Sequence, residues 1–453
     1  MATSPSDSYE TWTREQLIDR LKLLERPKTR PPSPKPIKDF HFGSHRRRKI
    51  ALKFCYSGWE YNGLAFQTKP TPLPTVEGVI FDTLAKSRLI DKEAGFEGCG
   101  WEKCGRTDRG VSAGGQVISL WVRSALSPED LAKTSKPRSE HDYLTILNRL
   151  LPPTIRILAW SPVSPTFSAR FSCTYRHYKY FFSPHGLNIP HMQDAASRLL
   201  GEHDFRNLCK LDAQKQITMF NRKVFRADIE PLEGFEDGRG LHVFNLIGTA
   251  FLYHQVRHIM AILLLVGTGL EDPSVVTSLL NVTEGEQAQK EGDKILDVVD
   301  RKPVYQMADA LPLMLWECGY PEREVDWRTI ERLDDPSAVT SSELYHQLHS
   351  IHERSQIYTA LNQHFLAAAS KHHAIPPKLF PLPEGNKDTL MGATMNIPLG
   401  GGTHKRMTKY TDILRRERLD TVDVMNERWR LGKGLRKEER KKEAEEGGID
   451  EDE

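Results

Sequence analysis

One carboxylate in this sequence stands in a turn just before an apolar run. Asp108 lies between Arg106 and Arg109 in a glycine-rich turn, and Gln116–Val122 has the composition of a strand. Neighbouring positive charge favours the ionised form of a carboxyl group. An ionised carboxylate on a loop that a rigid sheet holds can act as a nucleophile or as a general base. The alternative is structural, with an Asp that caps its own turn and pairs with an adjacent Arg.

The residues around Asp108 also carry a family resemblance. Gly105-Arg-Thr-Asp-Arg-Gly-Val-Ser-Ala113 resembles the catalytic motif of the tRNA pseudouridine synthases whose bacterial prototype acts on the anticodon arm. Four more segments match this family in order, over about residues 49 to 320: Tyr56–Gln67, Phe167–Phe171, Tyr175–Tyr180 and Phe251–Ile259. Ser112 stands where the bacterial enzymes usually have His, and this resembles the eukaryotic branch that modifies tRNA positions 38 and 39.

The resemblance implies a reaction and a role for four residues. Uridine would be isomerised to pseudouridine without a cofactor, and Asp108 would be the catalytic carboxylate, either attacking the nucleoside or removing a sugar proton. The target base must leave its stack, and the aromatic surface that replaces the stack falls on Tyr178. Arg257 would lie within reach of the carboxylate, and Arg106 would hold the backbone of the flipped nucleotide. From the residues alone, Tyr178 is equally a sheet aromatic and Arg257 a surface Arg.

Two pairs of residues are candidate metal ligands. His254 and His258 are four residues apart in a predicted helix, so they share a face. No acidic residue or third ligand stands beside them, and the pair matches ordinary family sequence. Cys99 and Cys104 form a single C-x4-C pair with no second pair. We therefore predict no metal site, and we expect the six cysteines to be reduced thiols.

The elements that must position these residues are predicted to form two α+β lobes. Strand patterns fall at Ile50–Ser57, Gln116–Val122, Ile155–Trp160, Cys173–Phe182, Ile217–Ile229, Leu241–Ala250 and Leu311–Tyr320. Helical spacing falls at Val76–Ile90, Asp142–Leu151 and Tyr253–Leu265. The resemblance implies a pair of ferredoxin-like lobes, with a central, mostly antiparallel sheet backed by helices and the catalytic cleft between the lobes.

The whole chain is predicted to have five consecutive parts. They are an N-terminal helix, which Thr13 can cap, with a basic Pro-rich linker (1–48); an N-terminal catalytic lobe (49–160); a C-terminal catalytic lobe with an exposed acidic insertion at 271–302 (161–320); a helical extension at 341–372 and a loop at 376–402 (321–402); and a basic helical tail with an acidic end (403–453).

Charge along the chain is segregated. The formal net charge is only +2, but Lys and Arg outnumber Asp and Glu in residues 1–50 and again in 403–442. Local basic surfaces must therefore provide any contact with nucleic acid, and we expect both ends to contribute salt-sensitive affinity. The run His45–Lys49 has three interpretations, which are a nuclear-import signal, a phosphate-binding patch and a solvated face. With no run of about 18 apolar residues and no apolar leader, a soluble protein without a membrane partner is predicted.

Three classes of function fit parts of this sequence. The leading hypothesis is an RNA-modifying isomerase with tRNA, and not DNA, as its partner; within that class a related synthase with other target positions is the alternative. The second is a non-catalytic RNA-binding or chaperone protein of the same fold, against which the intact Asp108 loop argues. A phosphate-binding metabolic enzyme would need a P-loop motif, which the sequence lacks. The resemblance further implies a homodimer, and we predict a nuclear and cytoplasmic location.

Overall fold

The computed structural model describes residues 12–25, 40–126, 140–232, 240–283, 290–291, 294–329, 340–375, 378–383, 394–437 and 439. The chain divides into two units, residues 1–44 and 45–453. In the first unit, helix α1 spans Arg14–Glu25. Its start is capped reciprocally, because the Gln16 N–H donates to Thr13 Oγ1 at 3.3 Å and the Thr13 N–H donates to Gln16 Oε1 at 2.9 Å. The predicted Thr13 cap is confirmed, while the predicted Pro-rich linker lies outside the described residues.

Thirteen strands are found among the described residues of the second unit. They are β1 (Arg47–Tyr56), β2 (Glu102–Lys103), β3 (Ser112–Arg123), β4 (Ile155–Pro162), β5 (Tyr175–Phe182), β6 (Gly201–Asp204), β7 (Asn221–Pro231), β8 (His242–Gly248), β9 (Lys290–Glu291), β10 (Lys294–Ile295), β11 (Leu313–Gly319), β12 (Met395–Gly400) and β13 (Thr403–Met407). Nine of them form one sheet in the order β4-β1-β3-β11-β5-β8-β7-β6, with β2 paired to β3. Only the pairing of β11 with β3 is parallel within this sheet.

The described helices of the second unit are named in chain order. They are α2 (Val76–Lys86), α3 (Gly95–Gly98), α4 (Tyr143–Leu150), α5 (Ile189–Ser197), α6 (Gln255–Gly267), α7 (Ser274–Leu280), α8 (Thr340–Ala369) and α9 (Val422–Trp429). Side-chain caps explain where two of them begin. Thr75 accepts from the Gly78 N–H before α2, and Asp142 accepts from the Thr145 N–H before α4. Among the described residues, no helix has both the length and the apolar character needed to cross a membrane.

The core consists of two clusters, one in each half of the sheet. Their largest fully buried side chains are aromatic: Phe54, Tyr143 and Trp160 in the first half, and Tyr180, Phe205 and Phe244 in the second. Strand β11 lies between the halves and contributes Leu315 to the first cluster and Leu313 to the second. The predicted α+β class with a large, mostly antiparallel sheet is confirmed, whereas the predicted domain boundaries stay predictions.

The prediction of an exposed acidic insertion at 271–302 is wrong for its described ends. Helix α7 buries Val275, Val276 and Leu279 in the second cluster, because its apolar side chains outnumber its polar ones. At the far end, Lys302 is also buried. Residues 284–289 and 292–293 lie outside the described part of the chain. Two elements that the sequence pattern did not predict, α5 and β6, belong to the same half.

The predicted loop at 376–402 is corrected, and so is the first part of the predicted basic helical tail, whereas the later part of the tail does contain helix α9. Strands β12 and β13 form a hairpin, and the alternation of Met395 and Ile397 buries one of its faces. Further along, Ile413 is fully buried. Glu271 Oε1 accepts hydrogen bonds from the Tyr410 hydroxyl at 2.5 Å and from the Ile413 N–H at 2.8 Å. Removing the chain from residue 403 would therefore damage the core, so it does not isolate a contribution to RNA affinity.

Part of the basic run at His45–Lys49 serves the fold. The last three residues of the run begin β1. Arg48 Nη1 lies 2.8 Å from Glu140 Oε2, and the Glu140 side chain is fully buried. Lys49 Nζ donates to the Pro165 carbonyl oxygen at 3.1 Å. At least two of the five residues are thus engaged inside the folded unit.

Candidate active site

The Asp108 loop joins β2 to β3, and contacts with the segment Tyr56–Gln67 hold it. The Tyr56 hydroxyl and Thr107 Oγ1 are 2.5 Å apart, and the Leu64 N–H donates to the Thr107 carbonyl oxygen at 3.2 Å. The Ser112 hydroxyl accepts from the Gly58 N–H at 2.9 Å. Each of these contacts is a neutral hydrogen bond at one end of the loop. Together they fix the backbone on both sides of the carboxylate.

A glycine in the same segment allows this close approach. Gly63 has φ +88°, and a Cβ built on it would lie 3.1 Å from the Thr107 carbonyl oxygen and 3.3 Å from the Asp108 carbonyl carbon. Only glycine adopts such a φ at little cost. The loop itself turns at Gly110, which also has a positive φ. The sequence predicted the turn at the loop, but not that Gly63, in a separate segment, packs closely against the loop backbone.

The start of helix α6 supplies the charged neighbours of Asp108. His254 Nε2 lies 3.1 Å from Asp108 Oδ2, and Arg257 Nη1 lies 4.0 Å from the same oxygen. Arg257 is fixed by a double contact with Ala308, since its Nε donates to the Ala308 carbonyl oxygen at 2.8 Å and its own carbonyl accepts from the Ala308 N–H at 3.0 Å. The predicted approach of Arg257 to Asp108 is therefore present in the geometry.

His254 is the neighbour that sequence reasoning missed, because it was weighed only as a metal ligand. It is the residue before α6 and has the left-handed conformation, with φ 57° and ψ 14°. A positive φ is uncommon for a residue with a side chain, and His is among the types that tolerate it. Its side chain is 7 % exposed, against 29 % for Asp108. Within the described part of the chain, its Nδ1 atom is buried without a hydrogen-bond partner. The sequence feature that could have identified it is a His three positions before Arg257.

Tyr178 lies on β5 in the middle of the sheet, between Leu315 of β11 and Leu246 of β8. Its ring meets the Phe251 ring edge-on, with centroids 5.2 Å apart and planes at 88°. Burial is the main cause that raises the pKa of the Tyr178 hydroxyl, and the negative charge of Asp108 is a smaller one. The phenol is therefore neutral at physiological pH, as an aromatic stacking surface requires.

Arg106 is placed differently from the other three predicted site residues. It stands two positions before Asp108 on the same loop, and its side chain is exposed, as is that of Arg109. The structure therefore joins Arg257 to the carboxylate and leaves Arg106 facing solvent. An exposed guanidinium at the rim of a site is available to a phosphate group.

A further Arg, which sequence analysis did not single out, links the loop to the second half of the sheet. Arg176 Nη2 donates to the Cys104 carbonyl oxygen at 3.2 Å, just before the Asp108 loop. Its Nη1 donates to the Thr249 carbonyl oxygen at 2.7 Å, at the end of β8. One half-buried guanidinium thus ties together the two chain segments that bring Asp108 and α6 to the same place.

The two helix histidines have separate environments. His254 faces Asp108, whereas His258 is buried beside Lys302, with Nζ of the Lys 3.2 Å from Nε2 of the His. Burial, followed by the charge of Lys302, lowers the pKa of His258 to about 2. Burial likewise lowers the pKa of Lys302 to about 8. In the described residues, no group of three or more His, Cys, Asp or Glu side chains is arranged to hold a metal ion.

Known proteins share both the motifs and most of the chain. Residues 195–321 match the family model described as tRNA pseudouridine synthase. The tRNA pseudouridine(38/39) synthase of Saccharomyces cerevisiae is 38 % identical over 454 residues, which cover 94 % of this chain and 93 % of the yeast protein. The chain belongs to the tRNA pseudouridine synthase family. The predicted resemblance is confirmed, and the reaction class is an isomerisation of tRNA uridine.

Other members of the family match shorter parts. The human tRNA pseudouridine(38/39) synthase is 42 % identical over 302 residues, or 64 % of this chain and 58 % of the human protein. The tRNA pseudouridine synthase A of Methanothrix thermoacetophila is 32 % identical over 280 residues, or 61 % of this chain and 85 % of the archaeal one. The alignment with the yeast synthase thus covers more of this chain than the other two do.

Proposed function

We propose that the protein converts uridine to pseudouridine at positions 38 and 39 of the tRNA anticodon stem-loop. The observation that carries this proposal is the 94 % of the chain that aligns with a yeast relative named for those two positions. The geometry is consistent with it, because a partly exposed carboxylate lies where the two halves of the sheet meet. A related synthase with other target positions is the alternative.

The reaction breaks the N-glycosidic bond, rotates the base and rejoins it to the sugar through carbon. We propose that Asp108 is the carboxylate that acts on the flipped nucleotide. His254 and Arg257 both approach Oδ2, which orients the group and leaves Oδ1 to meet the substrate. Tyr178 stacks on the flipped base, and Arg106 binds its backbone phosphate. Stacking replaces part of the free energy of a few kcal/mol that unstacking costs.

The role of Tyr178 can be tested by two substitutions. Tyr178→Phe keeps the ring and should keep most of the single-turnover rate, whereas Tyr178→Leu should lose about 10-fold or more, since a base stack contributes about 1–3 kcal/mol. Equal loss in both variants would assign the effect to the hydroxyl.

The target positions are tested by mapping pseudouridine in tRNA. Cells that lack the protein should lose the modification at positions 38 and 39 and regain it with the parent chain, but not with Asp108→Asn. Purified protein should modify a stem-loop transcript that has uridine at 38 or 39 and leave a matched transcript with cytidine there unchanged. Modification at other positions alone would overturn the proposal.

We also propose that the protein is a homodimer that pairs through α8. This 30-residue helix exposes seven large apolar side chains: Tyr345, Ile351, Ile357, Tyr358, Leu361, Phe365 and Leu366. Glu343, Glu353 and Arg354 are its only permanently charged residues, so two copies can approach without strong repulsion. At about 3.6 residues per turn, five of them fall on one side of the helix: Ile351, Ile357, Tyr358, Leu361 and Phe365. An exposed apolar face of this kind is typical of an interaction surface. The symmetric contact of a dimer would cover the same face on both copies.

Light scattering at micromolar concentration tests this proposal. The full chain should have the mass of a dimer, and the double variant Tyr358→Glu with Phe365→Glu should have the mass of a monomer, because each dimer would then bury four carboxylates. A matched control is Gln363→Glu, a single added charge on the same helix. A monomeric parent chain would reject the proposal. The nuclear and cytoplasmic location stays a prediction, which imaging of the tagged full chain would test.

A further inference from the structure

A second concave site lies beside Tyr253, the residue before His254. It encloses about 20 Å³, which is room for one water molecule, so a larger ligand would rest at its mouth. One wall is the chain from Cys209 to Ile217, and the other is α9. Tyr253 also lines the pocket. None of the residues to which the reaction was assigned above lines this pocket.

Tyr253 connects the pocket to the catalytic carboxylate. It is the residue before His254, and the centroids of their two rings are 3.9 Å apart. Burial is the main cause that raises the pKa of the Tyr253 hydroxyl, and the charge of Asp108 is the next. A group bound at the mouth of the pocket would therefore lie next to the nucleotide on which Asp108 acts.

Two lysines give the pocket its charge. Lys215 Nζ lies 3.7 Å from the centroid of the Tyr253 ring, and Lys210 Nζ lies 5.2 Å from it. Asp212 is the acidic residue of the lining, and its Oδ2 is 3.7 Å from Lys215 Nζ. The lining thus has an excess of one positive charge. A Lys ammonium on a flexible stem can leave an aromatic face for a phosphate oxygen.

Hydrogen bonds between the two walls fix the shape of the pocket. Gln216 Nε2 donates to the Asn426 carbonyl oxygen at 3.2 Å, and Asn426 Nδ2 donates to the Ile217 carbonyl oxygen at 3.3 Å. The backbone N–H of Lys210 donates to the Tyr253 carbonyl oxygen at 2.8 Å. The pocket is therefore formed before any ligand arrives, and the C-terminal segment is part of it.

We propose that the mouth of this pocket, here called the Tyr253 pocket, where Lys210 and Lys215 are exposed, binds the nucleotide of tRNA that is adjacent to the flipped uridine. Lys210 and Lys215 bind its phosphate. Departure of Lys215 from the Tyr253 ring frees that ring to stack on the neighbouring base. The proposal rests on the proposed function, since it takes the RNA at the Asp108 site as given. It adds a subsite that holds the strand next to the reacting nucleotide.

The test combines a protein variant with a modified RNA. A methylphosphonate group, which is neutral, replaces one phosphate at a time on either side of the target uridine in a stem-loop transcript. One such position should weaken binding to the parent chain by about 10-fold. The double variant Lys210→Ala with Lys215→Ala should bind the unmodified RNA about as weakly as the parent chain binds the methylphosphonate RNA. The same methylphosphonate should then weaken binding to the double variant only slightly. The exposed Lys92→Ala is the matched control and should behave like the parent.

The salt dependence gives an independent measure. Loss of two phosphate contacts should reduce the slope of log Kd against log salt concentration by about 1.8 in the double variant. The single variant Lys215→Arg keeps both positive charges, so it should keep most of the parent's slope. If the double variant keeps the parent's slope and every methylphosphonate weakens it as much as the parent, the pocket does not bind this phosphate. That result leaves pseudouridine formation at positions 38 and 39 intact, whereas failure of the proposed function would show as a parent chain inactive at those positions.

Discussion

Asp108 is held from two sides by different kinds of contact. On the first-half side, Tyr56, Gly58 and Leu64 bind the loop through neutral hydrogen bonds, and none of them touches the carboxylate. On the second-half side, His254 and Arg257 approach the carboxylate oxygen itself. The first side determines where the carboxylate stands, and the second determines how it is oriented and what charge surrounds it.

This division teaches how one reactive group can be tuned by two halves of a sheet. A change on the first side should move the carboxylate without altering its electrostatic surroundings, whereas a change on the second side should do the reverse. Position acts on the rate steeply, because small displacements of a reacting group reduce the rate strongly. Substitutions on the two sides should therefore differ in the size of their effect and in its dependence on side-chain chemistry.

The largest effect should come from Asp108→Asn, which removes the group that both sides serve. Single-turnover pseudouridine formation should fall by about 10⁴-fold, because an amide cannot perform the nucleophilic or proton-transfer step. Equilibrium tRNA binding should stay equal or become slightly tighter, since most affinity comes from phosphate contacts. The exposed Asp82→Asn is the control. Conversion near the parent's rate would make Asp108 a structural turn residue.

Gly63→Ala should be next, because it changes position alone. A Cβ at this φ is strained and would press on the Thr107 carbonyl oxygen, so the loop must shift by a few tenths of an ångström. The rate should fall by about 10–100-fold, with a loss of about 1–2 kcal/mol in the free energy of unfolding. Gly43→Ala is the control, since a Cβ there has no atom within 4 Å. An unchanged rate in a destabilised Gly63→Ala protein would contradict the positional role.

On the second side, His254→Ala should lower the rate by about 10-fold or more, the equivalent of one hydrogen bond to a charged group. His254→Asn should lose less, because Asn tolerates the left-handed conformation and its Nδ2 is a donor. Single-turnover rates for both variants at one pH give the comparison. Equal losses would show that His254 acts through its ring alone and not as a donor to Asp108.

The smallest effect should concern His258, which lies on the same helix but away from Asp108. Its pKa is lowered to about 2 from 6.5, so the unfolded chain takes up this proton first as the pH falls. The stability contributed by neutral His258 is complete above pH 6.5 and is lost below it, by about 1.4 kcal/mol at pH 5.5. Urea unfolding at pH 7.5 and 5.5 measures how much free energy of unfolding is lost between the two pH values. This loss should be smaller by the same amount in His258→Gln than in the parent chain. Identical losses in the two proteins would contradict the assignment.

Sequence patterns were sufficient for the first side of the site. The motif around Asp108 and the apolar run after it identified a loop before a strand, although β3 begins at Ser112, four residues before the predicted start at Gln116. Helix α6 and the approach of Arg257 were also predicted, the latter only through the family resemblance. These features are local, or they follow from a motif whose spacing is kept along the chain.

The contacts that sequence reasoning missed depend on how distant segments meet. His254 and Asp108 are 146 residues apart in the sequence. Their contact requires the left-handed conformation of His254 before α6, and hydrophobic periodicity does not predict that conformation. The C-terminal segment from residue 403 was misjudged because it is basic overall, although it contains a buried apolar residue, Ile413. A basic segment can form part of a core when only a small fraction of its side chains is buried.

The late position of Ile413 in the chain has a consequence for synthesis. Strands β1, β3 and β4 can pair once residue 162 has left the ribosome, but the second core cluster waits for Ile413, which packs beside α6 and α7. At about 5–20 residues per second, roughly seven to thirty seconds separate the end of α6 from the synthesis of Ile413. During that interval the apolar side chains of the second cluster lack the contact with Ile413.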